Sequence, residues 1–349
     1  MSLKEILEDL VISRVRRWMV SLSVKHLHGP KKIAYGPEEL VVVCLVRNGR
    51  PYVKSFIDHY ISLGVKHIIF MDNGSDDDTV AVAQDHERVT VVQTKLPYKH
   101  FEYEMKLYLI SRFGKGRWSL YVDIDELFDY PYSDVVGLSS LLRYLNDRSY
   151  TAVVAQHLDM FSGRELARQV SQEDEPLKEL YRFYDISNIN TEDYGSRRVH
   201  RRNVVANNDI TIYKDGIRTT LFDLPFTLIK HPLIFFDGET RPVGGGLHRI
   251  TNARIADFSC VLYHYKLIDG LPEQAARALR EGYWYPIMVP YYEKYRDVME
   301  RNPNISRIGR DTAMELGSVN ELIDNGFLVV SDEYRKWADA EKENRVAPS

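Results

Sequence analysis

Between Leu40 and Leu158 two kinds of apolar pattern alternate: short continuous runs rich in β-branched residues, and stretches where apolar residues recur every three or four positions. The runs are Leu-Val-Val-Val-Cys-Leu-Val from Leu40, then His67–Met71, Val89–Gln93, Trp118–Val122 and Thr151–Leu158. Each predicts a strand buried on both faces, as in a parallel sheet. The periodic stretches predict helices. One starts at Pro51, which suits a first helical turn, carries Val53, Phe56, Ile57, Tyr60 and Ile61 on one face, and stops at Gly64. Others cover Thr79–Gln84, Tyr103–Phe113 and Val136–Leu145. Such alternation implies parallel strands joined by right-handed crossovers, with ligands held beyond the strands' carboxyl ends. Polar clusters that directly follow strands are therefore where a site is to be sought.

The pattern changes on both sides of this block. Leu3, Ile6, Leu7, Leu10, Val11, Val15, Trp18 and Leu22 recur at helical spacing with Arg14, Arg16, Arg17 and Lys25 among them, which predicts a basic amphipathic helix over Leu3–Leu27. Two readings are open: the helix lies on an anionic membrane surface, or it docks on its own domain. Residues 163–208 are polar and poorly periodic and read as an insertion. Strand-like pieces follow at Ile210–Tyr213, Leu233–Phe236 and Cys260–Tyr265, then helices from Pro272 onward, with Ala338–Ser349 a frayed helix end or tail. The expected organisation is an N-terminal helix (1–36), an α/β domain (37–270) and a helical region (271–349).

Composition narrows the class. A chain of 349 residues buries a sizeable core, and 44% apolar with 28% charged residues is ordinary for a folded domain. A formal charge of -4 gives no global attraction to nucleic acid, so none is expected as a partner. The two cysteines, Cys44 and Cys260, sit in apolar runs, which excludes a disulfide framework and favours a reducing compartment. No stretch approaches the roughly 20 apolar residues of a spanning helix, and no signal-peptide core is visible. The expectation is a cytoplasmic protein, with peripheral contact on the inner membrane face if residues 3–27 lie on lipid.

Candidate chemistry concentrates after the strands. Asp123 and Asp125 follow Trp-Ser-Leu-Tyr-Val, so strand alternation points both carboxylates to one side, where they share a divalent cation. Hard oxygen ligands suit Mg2+ or Mn2+, which keep sites free for a substrate's phosphates. A metal bridging a departing diphosphate stabilises its charge as a sugar is transferred. An Asp-x-Asp triplet alone is weak, since loops and caps produce it by chance. Its context raises it, because a second acidic cluster, Asp72-Asn73-Gly74-Ser75-Asp76-Asp77-Asp78, also follows a strand. There Asp76 to Asp78 cap the next helix, while Asp72 and Asn73 point toward the crevice. The first strand ends in Arg47-Asn48-Gly49, offering a guanidinium and an amide to a base, ribose or phosphate.

Four segments carry a family resemblance: Val43–Gly49, His59–Asp77, Phe113–Phe128 and Leu262–Lys266. In that order they resemble glycosyltransferase family 2 and its relatives of GT-A fold, over roughly residues 40 to 270. The resemblance implies a GT-A-type nucleotide-binding fold with a mostly parallel central sheet, a polar insertion shaping the acceptor side and a helical C-terminal region. It implies a metal-dependent, inverting transfer of sugar from a nucleotide diphosphate sugar donor to a glycan or lipid-linked acceptor. By the same resemblance Arg47, Asn48, Asp72 and Asn73 surround the nucleotide, Asp123 takes the ribose and metal, and Asp125 and His264 take the metal. A buried histidine between tyrosines is the plainer reading of His264. Relatives often carry a glutamate after Arg-Asn, where this chain has Gly49.

Several assignments stay open. In Arg241-Pro-Val-Gly-Gly-Gly-Leu-His-Arg the glycines allow close backbone approach to a ligand before His248 and Arg249, or merely form a hairpin tip. For the base that deprotonates an acceptor hydroxyl the candidates are His248, Asp237, Glu239 and Asp159. Lys106, Arg218, Lys230 and Lys266 are unranked diphosphate partners. The alternatives are a sugar nucleotidyltransferase, which lacks its Gly-rich basic loop here, and a non-catalytic carbohydrate-binding or scaffold protein of the same fold.

Overall fold

The β-branched runs form the middle of one mixed, largely parallel sheet, seen in a computed structural model that describes residues 3–163, 176–283, 285–302 and 311–346. Its first strands are β1 (Lys25–His28), β2 (Val41–Val46), β3 (His67–Asp72), β4 (Val89–Gln93), β5 (Trp118–Tyr121), β6 (Glu126–Asp129) and β7 (Ala152–Asp159). Across the sheet the order runs β1, β4, β3, β2, β5, the Leu233–Phe235 strand, β7, then the Arg254–His264 strand. β4, β3, β2 and β5 are parallel, Leu233–Phe235 is antiparallel between β5 and β7, and β7 is parallel to Arg254–His264. The fold class is α/β, as the alternation predicts.

Every residue of β2 is buried, and its side chains divide between two cores: Val42, Cys44 and Val46 face one side, Val41, Val43 and Leu45 the other. Each such burial stabilises by about 1.5–3 kcal/mol, which is why every position of β2 is apolar. Helix α1 spans Leu3–Ser23, α2 Arg50–Ser62, α3 Thr79–Gln84, α4 Tyr98–Phe113 and α5 Leu138–Asp147. In α2, Pro51 stands in the first turn and Tyr52, Val53, Phe56, Ile57 and Tyr60 are buried. Both cysteines are buried and free. Among the described residues no helix is long and apolar enough to cross a membrane.

Four boundaries depart from expectation. Helix α1 ends at Ser23, and Lys25–His28, expected within it, pairs antiparallel with β4. Helix α4 begins at Tyr98, five residues before Tyr103, because its buried face includes the ion-paired Glu102 and Lys106, which break the apolar period. The strand expected at Cys260–Tyr265 runs from Arg254; polar Asp257 and Ser259 interrupt its run, and its register shifts between Ile255 and Ser259. Helix Asp332–Val346 continues through the expected tail, with Tyr334 stacked on Phe258 at 4.1 Å and Trp337 beside Tyr144 at 4.6 Å. In the insertion, Ile189–Asp193 pairs with Thr211–Asp215, while residues 164–175 lie outside the described residues.

Register places the chemistry. Val46 pairs with Asp72 and Asp72 with Gln93, so Arg47 and Asn73 leave the sheet along one edge. His264 pairs with Asp159 on one side and with Glu126 of β6 on the other. Residues distant in sequence thereby meet at one edge.

Candidate active site

At this edge opens a cavity of about 690 Å3, within the 300–1,000 Å3 usual for small-molecule sites. Its walls include Arg47, Asn48, Asp123, Asp125, Glu126, His157, Lys230, His248, Arg249 and His264. Arg47, Asn48, Asp123 and Asp125 follow a strand's carboxyl end, as the alternation predicts, and Lys230 and His264 are the last residues of theirs.

His264 is the hinge of the site. Its Nδ1 lies 2.6 Å from Asp159 Oδ1, and the other Asp159 oxygen accepts the Arg218 Nε–H at 2.8 Å. Burial raises the Asp159 carboxyl, but Arg218 and His264 outweigh it and hold the group far below the usual carboxylate range. An ionised Asp159 only accepts, so the His264 Nδ1 donates to it and Nε2 is the ring nitrogen turned toward the cavity. That nitrogen stands 3.7 Å from Asp125 Oδ2. Asp125, Glu126 and His264 each bring a ligand atom within 4.8 Å of the others, a spacing fit for one cation. A carboxylate behind the imidazole is the usual support of a metal-binding histidine.

Asp123 belongs to a neighbouring ionic cluster. Its oxygens lie 3.2 Å from Lys106 Nζ and 2.6 Å from Lys230 Nζ. Lys230 also sits 2.5 Å from Glu126 Oε1, which accepts from His157 Nε2 at 2.8 Å, while Glu126 Oε2 accepts the Asp123 N–H at 2.9 Å. Burial pushes the Asp123 carboxyl up, yet Lys106 and Lys230 bring it down to about 2. Burial opposes ionisation of Glu126 as well, and Lys230 and His157 overcome it. The expectation that Asp123 and Asp125 share one cation rests on strand alternation. Alternation ends at Tyr121, and residues 123–126 form a turn closed by Glu126 N to Asp123 O at 3.1 Å. The turn faces Asp125 toward His264 and Asp123 toward the lysines, its side chain still 35% exposed.

The residues expected around a nucleotide divide in the same way. Asn48, at a left-handed φ of 54°, accepts the Asp76 N–H and donates its own N–H to Ser75 Oγ, tying the loops after β2 and β3 together. At Gly49 a Cβ would meet Val46 at 2.7 Å and Ile124 at 2.9 Å, which accounts for glycine beside the Asp123–Asp125 turn. Arg47 lies 4.6 Å from the Tyr283 ring centre and pairs with Glu281 at 3.1 Å. Tyr283 in turn stacks on Tyr98 at 4.7 Å. Asp72 and Asn73 do not line the cavity. Asp72 accepts the Gly74 and Ser75 N–H groups, and Asn73 donates to Thr94 and Leu96 carbonyls while accepting from the Tyr283 hydroxyl. Asp77 accepts the Thr79 N–H, whereas Asp76 pairs with Arg277 instead of capping.

Of the base candidates, His248 lies in the cavity. Its Nδ1 is 2.8 Å from the Ile229 carbonyl, and burial brings its pKa down to about 3, so the ring is neutral with Nε2 as acceptor. Glycine is required beside it: a Cβ on Gly246 would meet the His248 ring at 2.6 Å, and one on Gly245 the Glu102 carboxyl at 2.5 Å. Asp237 and Glu239 are exposed away from the cavity, where Asp237 accepts the Glu239 and Thr240 N–H groups. Asp159 is engaged at both oxygens, so the positions expected for Asp237 and Asp159 beside an acceptor are not those observed. Arg249, Arg218, Lys230 and Lys266 line the cavity, and Lys106 stands behind Asp123. The sequence reading missed Glu126 and His157. His157 stacks on His264 at 4.8 Å, and its Nδ1 finds no hydrogen-bond partner among the described residues. Its spacing of two from Asp159 in one strand was the available clue.

No protein-family model and no curated protein matches the chain. Among solved structures it is similar to residues 1–349 of S. aureus TarS, at 13% identity over 40% of this chain and 43% of that one, TM-score 0.27. It is similar to the glucosyl-3-phosphoglycerate synthase of Mycobacterium tuberculosis in complex with Mn2+, UDP and glucosyl-3-phosphoglycerate, at 17% identity over 39% and 52%, TM-score 0.23. The chain thus spans about half of each of these two. It is also similar to a mannosyltransferase of Pyrobaculum calidifontis in complex with GDP-Man and Mn2+, at 13% identity over 95% and 92%, TM-score 0.33.

Proposed function

We propose that this protein is a metal-dependent, inverting glycosyltransferase that moves a sugar from a nucleotide diphosphate sugar to a glycan or lipid-linked acceptor. The observation that carries the reading is the Asp125–His264 pair, braced by Asp159 and Arg218, at the rim of a cavity with several cationic walls. The donor set of carboxylate oxygen and imidazole nitrogen fits Mn2+, and Mg2+ less closely. Asp125 and His264 would hold the ion; Glu126 has both oxygens engaged and supports the group from behind. When bound, such an ion neutralises charge developing on the departing diphosphate.

The chain's own residues divide the remaining work. Arg249, Lys266 and Lys230 supply positive charge to the diphosphate. Arg47 and Asn48 border the nucleoside. Asp123, fixed by its two lysines, presents its exposed edge to ribose hydroxyls. His248 Nε2 is a neutral hydrogen-bond acceptor at the cavity wall that would orient the acceptor hydroxyl for attack on the sugar carbon, its burial disfavouring uptake of a full proton. The test is a panel of nucleotide sugars, measuring nucleoside diphosphate release with Mn2+ and with chelator. Metal-dependent release from at least one donor is expected. Failure of the whole panel, or turnover unaffected by chelation, would overturn the reading.

Asp159 is a positioning residue here. Asp159→Asn should weaken Mn2+ binding about 10–100-fold, because the amide no longer fixes the His264 tautomer. Titration by electron paramagnetic resonance reads this directly; unchanged Mn2+ affinity in a folded variant would refute the role.

A further inference from the structure

Helix α1 has one face fastened to the protein and another left in water. On the fastened face Val20 is fully buried, the Arg16 guanidinium lies 6.0 Å from the Phe101 ring of α4, and Ser23 bonds Thr94 at 2.7 Å. On the other, Ile12, Val15, Trp18, Met19 and Leu22 recur at intervals of three and four, so they share one side of the helix. Val15 is 49%, Trp18 64% and Leu22 65% exposed. A single exposed apolar side chain is ordinary, but an aligned row marks a contact surface. Exposed cations lie near the row: Arg14 on the helix beside Trp18, Lys25 just beyond the helix, and Lys31 and Lys32 in the following loop, while Arg17 stands farther round and donates to Ser13 Oγ at 3.1 Å.

We propose that this face binds the surface of an anionic lipid bilayer. Trp18, Val15 and Leu22 enter the boundary between headgroups and acyl chains, while Arg14 and Lys25 meet lipid phosphates. Charge complementarity selects this occupant, since the chain is net negative and the cations gather around the apolar row. A second copy fits poorly. A two-fold contact would set the same arginines against each other, and five apolar side chains fall well short of the roughly 20–30 residues a side of a stable dimer. The inference is independent of the proposed chemistry.

Sedimentation of the full chain with vesicles tests it, comparing phosphatidylcholine alone with mixtures containing phosphatidylglycerol. Binding is expected only to the anionic vesicles, falling as salt rises. Trp18→Ser/Leu22→Ser should weaken it by about tenfold or more, and Arg14→Glu/Lys25→Glu should abolish the preference for anionic lipid. All four positions are exposed, and unchanged circular dichroism melting verifies the fold of each variant. No binding to anionic vesicles, or equal binding by wild type and the serine variant, would overturn the proposal. So would a dimer, seen by light scattering, that the serine variant dissociates.

Discussion

Asp125→Ala should lower metal-dependent turnover by about a thousandfold or more while leaving the fold intact. The side chain lines the cavity and pairs with His264, so its loss removes an oxygen ligand without unpacking a core. A metal acting on a leaving diphosphate contributes several kcal/mol at the transition state, and each 1.4 kcal/mol is a factor of ten. The variant should also need far more Mn2+ to saturate. Asp123→Asn makes the informative contrast: its carboxylate faces Lys106 and Lys230, so Mn2+ affinity should change little while donor KM rises. If Asp123→Asn lost Mn2+ affinity and Asp125→Ala kept it, the division of the two aspartates would be reversed and the reading would fail.

That division is where the sequence stopped being legible. The central strands could be read because burial on both faces demands unbroken β-branched runs, and β2, β3 and β4 were found nearly residue for residue. Asp125 and His264 drew notice because one lies soon after a strand and the other ends one, and they stand 3.7 Å apart. What could not be read was the turn over residues 123–126, since an apolar Ile124 between two acids looks the same in a strand as in a turn. Strand β6 escaped for a related reason: Glu-Leu-Phe-Asp is too short to show a period, yet it sets Glu126 opposite His264. The buried lysines were named without rank because a long cationic side chain leaves no trace of its burial. Lys230 is 1% exposed only because Asp123 and Glu126 are there to receive it. Asp159 and His264 meet through parallel pairing of two strands separated by the whole insertion, a contact that no local pattern encodes.

The interdependence of those buried charges yields the largest expected change in stability. Lys230→Met keeps the length of the side chain and removes its cation, leaving the Glu126 carboxyl, itself 1% exposed, with a neutral histidine and one backbone N–H. Breaking a buried pair on one side costs about 3–5 kcal/mol, more than the pair itself contributes, because the surviving charge is stranded. The pH dependence carries a definite sign. In the wild type Glu126 is held below its ordinary value of 4.5, so its contribution is present above that value and lost as pH falls through the folded one. In Lys230→Met burial prevails and the carboxyl rises above its unfolded value, so the folded state gains from protonation. The deficit against wild type should therefore be greatest near about pH 7 and shrink toward about pH 4. Adding Glu126→Gln should recover much of the loss at neutral pH, since a neutral amide tolerates the site that a lone carboxylate does not. Urea unfolding of the single and double variants at both pH values measures all of this. A deficit independent of pH, or no recovery in the double variant, would show that Lys230 stabilises through packing and not through charge.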